Sequence, residues 1–352
     1  MVASVPVGKY QIGPGHPCFI IAEAGVNHNG NRDLAHDLVS AAAATGADAV
    51  KFQTWQTEKL IRPGARKADY QTVNCPDDTD QYTMLKRLEL PYEWHASLQA
   101  HAERLGILFL STPDEIDSAR FLCQLGLPAL KVGSAELTNR PYLRQLAGLG
   151  RPLLLSSGMG TTADVAAALQ AIAAGGPVPV ALLHCVSTYP APEDELNLRC
   201  LSQLRQEFGV PVGLSDHSLG SLAAAVAVGI GMNLYEKHIT LDTSLPGPDH
   251  AASLAPDAFT DLVASIRRAE AMLGDGQKRV MPSERPTLDA VRRILCYAQD
   301  AAPGHRLADE DLVALRTGTD GLHPEQADTI VGRILRQPVQ AGDLVQDGDW
   351  QA

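Results

Sequence analysis

The chain has 352 residues, of which 45% are hydrophobic and 5% aromatic, and its formal net charge is -12 at pH 7. This length favours a large domain with an appendage over a single small domain. The acidic balance argues against nucleic acid and against an anionic membrane surface, although a few buried lysines can still attract a small anion.

Short apolar runs alternate with amphipathic stretches along the first 273 residues. The predicted strands are Phe19–Ala24, Ala49–Gln53, Ile107–Thr112, Ala129–Ser134, Pro152–Ser156, Val180–Val186, Val212–Ser215 and Leu234–Ile239. Helical patterns between them include Arg32–Ala44, Pro91–Leu105, Ala163–Ala174 and Leu219–Val228. Strands that alternate with helices in this way over about 250 residues predict an α/β fold, the (β/α)8 TIM barrel. The rival is a doubly wound open sheet, but the first turn reads E-A-G-V-N-H-N-G and has no G-x-G-x-x-G.

The pattern changes after Leu273, which predicts a boundary between the barrel (1–273) and a C-terminal part. Residues 274–286 are rich in glycine, proline and charge, as expected of a linker. Residues 287–352 form a module of short apolar runs and turns. Because about 65 residues make a small core, we expect this module to dock on a barrel, its own or a partner's.

The start of the chain, residues 1–17, lacks the basic and apolar regions of a secretory signal. No apolar run approaches the roughly 18 residues of a membrane span. The six cysteines are scattered and form no C-x-x-C pair, which is typical of reduced thiols. We therefore expect a cytoplasmic protein.

Most of the predicted strands end in polar residues. These are Glu23; Lys51 and Gln53; Ser111 and Thr112; Lys131, Ser134 and Glu136; Ser156 and Ser157; Ser187, Thr188 and Tyr189; Ser215, Asp216 and His217; and Glu236, Lys237 and His238. In a barrel the C-terminal ends of the strands meet at one rim, where active sites lie. A polar rim built from so many strand ends favours a catalytic site there.

His217 and His238 follow neighbouring strands and are candidate metal ligands. Imidazole is the commonest metal ligand, and two protein nitrogens leave positions open for water and substrate. Without thiolates nearby, manganese or another octahedral divalent ion fits better than structural zinc. Two hydrogen-bonded rim histidines are the alternative, and the residues alone leave both open.

The charged strand ends suggest anion binding and proton transfer. A lysine inside a barrel needs an anion, so Lys51 and Lys131 predict a phosphate or carboxylate site, unless each lies along the outer surface. Glu23 and Glu136 are candidates for exchanging protons with a sugar hydroxyl, with ion pairs to these lysines as the alternative. Asp249 follows strand eight over the same rim, where a polar turn set by Pro246, Gly247 and Pro248 is the alternative.

Nine segments, in order along the barrel, resemble the bacterial sialic acid synthase family. They read F-I-I-A-E-A-G-V-N-H-N-G, V-K-F-Q-T, F-L-S-T-P, K-V-G-S-A-E, L-L-S-S-G-M, L-L-H-C-V-S-T-Y-P, G-L-S-D-H-S, E-K-H-I-T and P-G-P-D-H. The C-terminal module resembles the antifreeze-like (SAF) domain of the same family. The resemblance covers nearly the whole chain.

This resemblance implies a role for each matching residue. His217 and His238 would hold a divalent metal, manganese in the usual case, with magnesium or cobalt as alternatives. The phosphoenolpyruvate ligands would be Lys51, Thr112, Lys131, Ser134, Ser156, Ser187, Tyr189 and Ser215. Glu23, Gln53, Glu136 and Asp249 would handle the sugar and its protons, with Tyr189 also on the sugar.

The resemblance also implies a domain-swapped homodimer, in which Arg316 of each subunit reaches the sugar's N-acyl group in the other subunit. The family's usual motif here is arginine–proline–glycine, and Thr317 replaces its proline. A proline at this position would have fixed the backbone. Ser187 replaces an asparagine found in some members.

The implied reaction joins phosphoenolpyruvate, an open-chain N-acetylmannosamine-type sugar and water into N-acetylneuraminate and phosphate, by C–O cleavage. The nearest alternative products are N,N'-diacetyllegionaminate, from a 2,4-diacetamido-6-deoxy hexose, and then pseudaminate. A metal-dependent hydrolase would show H-x-H after strand one, where His28 stands alone. A non-catalytic carbohydrate-binding barrel is an alternative of another class, and the presence of Lys51, Glu136, His217 and His238 argues against it.

Overall fold

The computed structural model describes residues 2–351, which form two compact units. The first unit runs to Gly274 and the second begins at Asp275. The predicted linker, 274–286, lies mostly at the start of the second unit.

The first unit is a nearly closed barrel, as the alternation of strands and helices predicts. A hairpin of β1 (Val5–Val7) and β2 (Tyr10–Ile12) precedes eight parallel strands. These are β3 (Phe19–Gly25), β4 (Ala49–Thr54), β5 (Leu108–Pro113), β6 (Leu130–Val132), β7 (Leu153–Ser156), β8 (Val180–Cys185), β9 (Val212–Asp216) and β10 (Leu234–His238). Their order is β5-β4-β3-β10-β9-β8-β7-β6, so the first and last barrel strands pair with each other.

Helices surround the barrel and occupy the connections between its strands. They are α1 (Arg32–Ala44), α2 (Thr57–Leu60), α3 (Asp69–Asn74), α4 (Gln81–Leu88), α5 (Tyr92–Leu105), α6 (Ile116–Leu125), α7 (Arg140–Ala147), α8 (Thr162–Gly175), α9 (Cys200–Phe208), α10 (Leu222–Gly229) and α11 (Pro256–Leu273). The ends follow local chemistry: the side chain of Asn31 caps α1, and α5 ends at Gly106, whose φ of 78° suits glycine. No helix in the described residues combines the length and apolarity of a membrane span.

Apolar side chains fill both faces of the barrel wall. Outward-facing residues such as Ile20, Val50 and Tyr235 pack against the helices in the main core. Inward-facing residues of the N-terminal half, such as Ile21 and Leu234, pack against Val5, Val7 and Ile12 of the hairpin. The hairpin therefore closes the N-terminal end, and the polar strand ends are left at the other end.

One predicted strand is shorter than expected. The strand predicted over Ala129–Ser134 ends at Val132, and Ser134–Glu136 forms a 3-10 turn instead. The turn carries Glu136 beyond the barrel wall, because the alternation of strand side chains no longer applies there.

The second unit has a small core of its own. It contains a 3-10 turn (Pro282–Glu284), α12 (Arg285–Val291), the antiparallel pair β11 (Arg293–Tyr297) and β12 (Leu312–Arg316), and α13 (Ala327–Ile330). The core consists of Leu295, Tyr297, Leu307, Ile330, Leu335, Val339 and Val345. Asp349 is buried beside it and accepts a hydrogen bond of 3.1 Å from the Tyr297 hydroxyl.

The close packing of β9 against β10 can be tested at Gly213. A Cβ at this position would collide with the carbonyl oxygen and side chain of Leu234 on β10. We expect Gly213→Ala to lower the free energy of unfolding by about 3 kcal/mol, because backbone cannot move aside as a side-chain tip can. Urea unfolding followed by circular dichroism measures the change. Gly229→Ala in α10 is the matched control, since nothing lies within 4 Å of its Cβ position, and equal midpoints for the two variants would contradict the prediction.

Candidate active site

A cavity of about 380 Å³ opens at the C-terminal ends of the barrel strands. Its lining includes most of the residues predicted from the strand ends: Glu23, Lys51, Gln53, Thr112, Lys131, Ser134, Ser156, Ser187, Tyr189, Ser215, His217 and His238. The other polar or reactive lining residues had no role predicted from the sequence; they are Tyr70, Gln71, Gln81, Asp114, Met159, Cys185 and Glu236.

Two buried lysines and two buried glutamates form the charged floor of the cavity. Lys51 Nζ lies 2.6 Å from Glu23 Oε2 and 3.8 Å from Glu236 Oε2, and Lys131 Nζ lies 3.5 Å from Glu236 Oε1. Lys51 and Lys131 are only 2% and 3% exposed, so neither lies along the outer surface of the barrel. The 2.6 Å distance also shows that Glu23 forms an ion pair with Lys51, which was the alternative to its role in proton transfer.

Burial and charge act in opposite directions on these groups. Burial raises the pKa of Glu23 to about 7, although Lys51 acts to lower it. Burial would lower the pKa of Lys51, but the two glutamates outweigh it and raise the pKa. Burial would raise the pKa of Glu236, but Lys131 and Lys51 lower it. Glu23 is thus the carboxyl group of the cluster that is suited to carry a proton near neutral pH.

Hydroxyl groups surround the two ammonium groups. Lys51 donates to Thr112 Oγ1 at 2.7 Å, and Lys131 donates to Ser156 Oγ at 2.7 Å. Ser215 donates to Glu236 at 3.0 Å. Ammonium and hydroxyl donors gathered in one buried place form a site that suits a phosphate or carboxylate.

Because Gly158 has no side chain, space remains between the hydroxyl groups of Ser134 and Ser187. Its N–H donates to Ser134 Oγ at 3.0 Å. A Cβ on Gly158 would collide with Ser187 Oγ and come within 2.7 Å of Ser134 Oγ. A side chain here would displace both predicted anion ligands.

The two histidines lie side by side at the rim. Their ring centroids are 5.6 Å apart, and the Tyr189 ring lies 4.0 Å from the ring of His217. His217 Nδ1 is 2.9 Å from the carbonyl oxygen of Val186, which leaves Nε2 for another partner. Burial lowers the pKa of His238 well below its usual range, and His217 adds to the effect, so this imidazole is neutral.

These residues fit a divalent ion. Nδ1 of His238 is buried and makes no hydrogen bond within residues 2–351, although Asp249 Oδ2 is 3.7 Å away. A buried polar atom of this kind calls for a partner. Residues 2–351 contain no group of three or more His, Cys, Asp or Glu side chains placed to hold a metal. The two imidazoles would therefore be the protein ligands of the ion, and water or substrate would complete its coordination.

Two predicted site residues of the first unit, Glu136 and Asp249, are not part of the cavity lining, and Arg316 belongs to the second unit. Glu136 accepts a hydrogen bond of 2.6 Å from Asn139 in the turn that ends β6. Asp249 is buried next to His238, and burial raises its pKa to about 6. Arg316 is exposed at the end of β12 in the second unit.

Some of the missed residues had a usable signal. Glu236 lies two residues before His238 on β10, so strand alternation places both side chains on the inner face. Cys185, 3.7 Å from His217 Nδ1, ends β8 in the same way. Tyr70 and Gln71 in α3 and Gln81 in α4 had no such signal, because strand alternation does not apply in the connection between β4 and β5.

Comparison with known proteins gives two family matches. Residues 38–278 match the NeuB family and residues 292–349 match the SAF domain. The chain is 46% identical over 329 residues to the N,N'-diacetyllegionaminic acid synthase of Legionella pneumophila subsp. pneumophila, covering 92% of each chain. It is 33% identical to the N-acetylneuraminate-9-phosphate synthase of Homo sapiens, covering 96% of this chain and 93% of that protein.

A solved structure shares the fold. The N-acetylneuraminic acid (sialic acid) synthetase of Leptospira borgpetersenii serovar Hardjo-bovis, in complex with citrate, superposes with a TM-score of 0.72 at 30% identity. The match covers 82% of this chain and 96% of that one.

The buried ion cluster gives a test of how the floor of the cavity is held. Lys51→Met leaves Glu23 and Glu236 without their shared cation, and we expect a loss of about 3–5 kcal/mol in the free energy of unfolding. Lys51 acts to lower the pKa of Glu23, which is about 7 in its presence, so removing Lys51 raises that pKa further. Glu23 then takes up a proton more readily, and the loss should grow as the pH is raised and Glu23 ionises. Urea unfolding at a series of pH values measures this change. Adding Glu23→Gln should recover much of the loss.

Lys59→Met is the matched control for this test. It breaks an ion pair with Asp117 whose side chains are 46% and 43% exposed, and we expect a loss of about 0–1 kcal/mol. A Lys51→Met variant as stable as the control would show that the buried pairs contribute nothing to stability.

Proposed function

The chain belongs to the NeuB family of transferases that condense phosphoenolpyruvate with an amino sugar, and we propose that its acceptor is a 2,4-diacetamido-6-deoxy hexose. The products would be N,N'-diacetyllegionaminate and phosphate. The observation that carries this choice is the identity with the legionaminic acid synthase, which is well above that with the neuraminate-9-phosphate synthase. It favours this acceptor over the N-acetylmannosamine that the sequence motifs led us to expect.

The charged floor would bind phosphoenolpyruvate. Lys51 and Lys131 lie at the base of the cavity with their ammonium groups directed at hydroxyls. A substrate with a phosphate and a carboxylate would accept hydrogen bonds from Thr112, Ser134, Ser156, Ser187, Tyr189 and Ser215, and from the two lysines. Because these donors are buried and already oriented, they need little reorganisation as charge moves towards the leaving phosphate.

The histidine side of the cavity would bind the sugar aldehyde. When bound, a divalent ion, manganese in our proposal, would act as a Lewis acid on the aldehyde oxygen. His217 and His238 would hold it, and neutral His238 has an unpaired nitrogen available. Carbon 3 of phosphoenolpyruvate then bonds to the aldehyde carbon, water adds at carbon 2, and phosphate leaves by C–O cleavage.

The carboxyl groups nearest the histidine side of the cavity would carry out the proton transfers. Glu23 has a pKa of about 7 and accepts a hydrogen bond of 3.1 Å from Gln53. Asp249 has a pKa of about 6 and lies beside His238. Both values suit groups that take up and release a proton near neutral pH. Glu136 completes the proposed set, and a swapped homodimer would bring Arg316 of one subunit to the N-acyl group in the other.

The proposed acceptor can be tested by phosphate release from phosphoenolpyruvate with Mn²⁺. We expect kcat/KM for 2,4-diacetamido-2,4,6-trideoxymannose to exceed that for N-acetylmannosamine at least tenfold, because a site built to hydrogen-bond a substrate group discriminates against an analogue that lacks it. Equal rates, or a preference for N-acetylmannosamine, would reject the legionaminate assignment. Phosphate release with neither sugar would reject the reaction.

The metal assignment has a separate test. His217→Ala and His238→Ala should each abolish phosphate release and weaken Mn²⁺ binding, measured by electron paramagnetic resonance without substrates, at least tenfold. His16→Ala is the matched control, since His16 is exposed outside the cavity. Near-normal turnover or unchanged Mn²⁺ affinity in either cavity variant would remove the metal from these histidines.

A further inference from the structure

The long connection between β4 and β5 covers one side of the cavity mouth. It carries α2, α3, α4 and α5, and Ala68, Tyr70, Gln71 and Gln81 from it line the cavity. The connection is fastened to the loop that bears Asp249, because Asn74 Nδ2 donates to the carbonyl oxygen of Pro248 at 2.8 Å. None of these lining residues belongs to the segments that resemble the family.

A stack of aromatic rings places this connection on the sugar's side. The ring of Tyr189 contacts two other rings. Its centroid lies 4.0 Å from that of His217 and 4.9 Å from that of Tyr70, which stacks on it. The stack thus leads from His217, a proposed metal ligand, to Tyr70. A sugar whose first carbon lies at the histidines would extend along it, with its later carbons towards the mouth.

A relay of hydrogen bonds orients three side chains at the mouth. The amide oxygen of Gln71 accepts from the backbone N–H of Ala68 at 3.0 Å and from Gln81 Nε2 at 3.2 Å. Gln71 Nε2 donates to the Tyr70 hydroxyl at 3.3 Å. Since Ala68 N–H can only donate, it fixes which end of the Gln71 amide is the oxygen, and so fixes the direction of the whole relay.

The relay leaves hydrogen-bonding groups for a ligand, among them a hydroxyl donor and an amide oxygen acceptor. The Tyr70 hydroxyl already accepts from Gln71, so its proton is available, and it has no acceptor among residues 2–351. The side-chain oxygen of Gln81 likewise accepts no hydrogen bond from the described residues. The mouth therefore offers an O–H donor and an amide oxygen acceptor on two different side chains.

An acylamino group carries the complementary pair. Its C=O accepts and its N–H donates, and these functions lie on separate atoms, whereas a hydroxyl places both on one oxygen. We infer that Tyr70, Gln71 and Gln81 form a specificity site for the second acylamino group of the acceptor, at carbon 4. The inference rests on the proposed function, because only a diacetamido sugar carries that group.

The experiment compares two sugars that differ at carbon 4 alone. One is 2,4-diacetamido-2,4,6-trideoxymannose and the other is 2-acetamido-2,6-dideoxymannose, which has a hydroxyl there. The readout is the ratio of kcat/KM for the first sugar to that for the second, with KM for phosphoenolpyruvate measured alongside. Gln81→Met removes the acceptor at similar volume, and Tyr70→Phe removes the donor but keeps the ring stack. Gln170→Met, at an exposed position of α8, is the matched control.

We expect the ratio to fall about tenfold in Gln81→Met and in Tyr70→Phe, the scale of one lost neutral hydrogen bond, with KM for phosphoenolpyruvate and the ratio of the control unchanged. A wild-type ratio well above one that both variants retain would overturn the inference and leave the proposed function intact. A wild-type protein that turns over the 4-hydroxy sugar equally well would overturn both.

Discussion

The structure depends on placing two ammonium groups inside a barrel. Lys51 and Lys131 are almost fully removed from water, and an isolated charge there would cost several kcal/mol. Glu23 and Glu236 offset this cost only if neighbouring strands keep a particular register. In that register Glu23 lies opposite Lys51 on β4 and opposite His238 on β10. The pairing that neutralises the lysines is thus the same pairing that positions a proposed metal ligand.

The same cluster explains how an acidic protein can bind an anion. With both glutamates ionised, the two lysines are balanced. Since burial holds the pKa of Glu23 near 7, a proton on Glu23 leaves the cluster with one net positive charge at little cost. An arriving anion can therefore be neutralised locally by proton uptake, whatever the net charge of -12 on the whole chain.

The outer faces of the same strands carry a second charged group that is separate from the cavity. Lys237 Nζ lies 3.0 Å from Asp216 Oδ2, which also accepts a hydrogen bond of 2.6 Å from the Tyr235 hydroxyl. Tyr235 and Lys237 alternate with Glu236 and His238 along β10. This strict alternation is why the sequence could predict the barrel and most of its rim. The alternation no longer applies after β6, which ends at Val132, earlier than predicted. Glu136 was expected on the rim but lies in the turn that follows. The alternation also says nothing about Arg316 in the second unit, whose proposed role needs a second chain.

Shared motifs and substrate choice draw on different parts of the chain. The lysines, hydroxyls and histidines lie at strand ends, where barrel geometry fixes them. Their proposed contacts are with the phosphate and carboxylate of phosphoenolpyruvate and with the aldehyde of the acceptor, which are the same whichever sugar is used. Residues that contact only these groups cannot distinguish one sugar from another. Discrimination must come from contacts to the far carbons, and the connection from β4 to β5 contributes the cavity-lining side chains to which we assign this role. The helical pattern of Pro91–Leu105 predicts one helix of this connection, but Tyr70, Gln71 and Gln81 lie in the short helices α3 and α4. Strand alternation does not apply there, so the sequence did not assign these side chains to the cavity, and the identity of the sugar was open for the same reason.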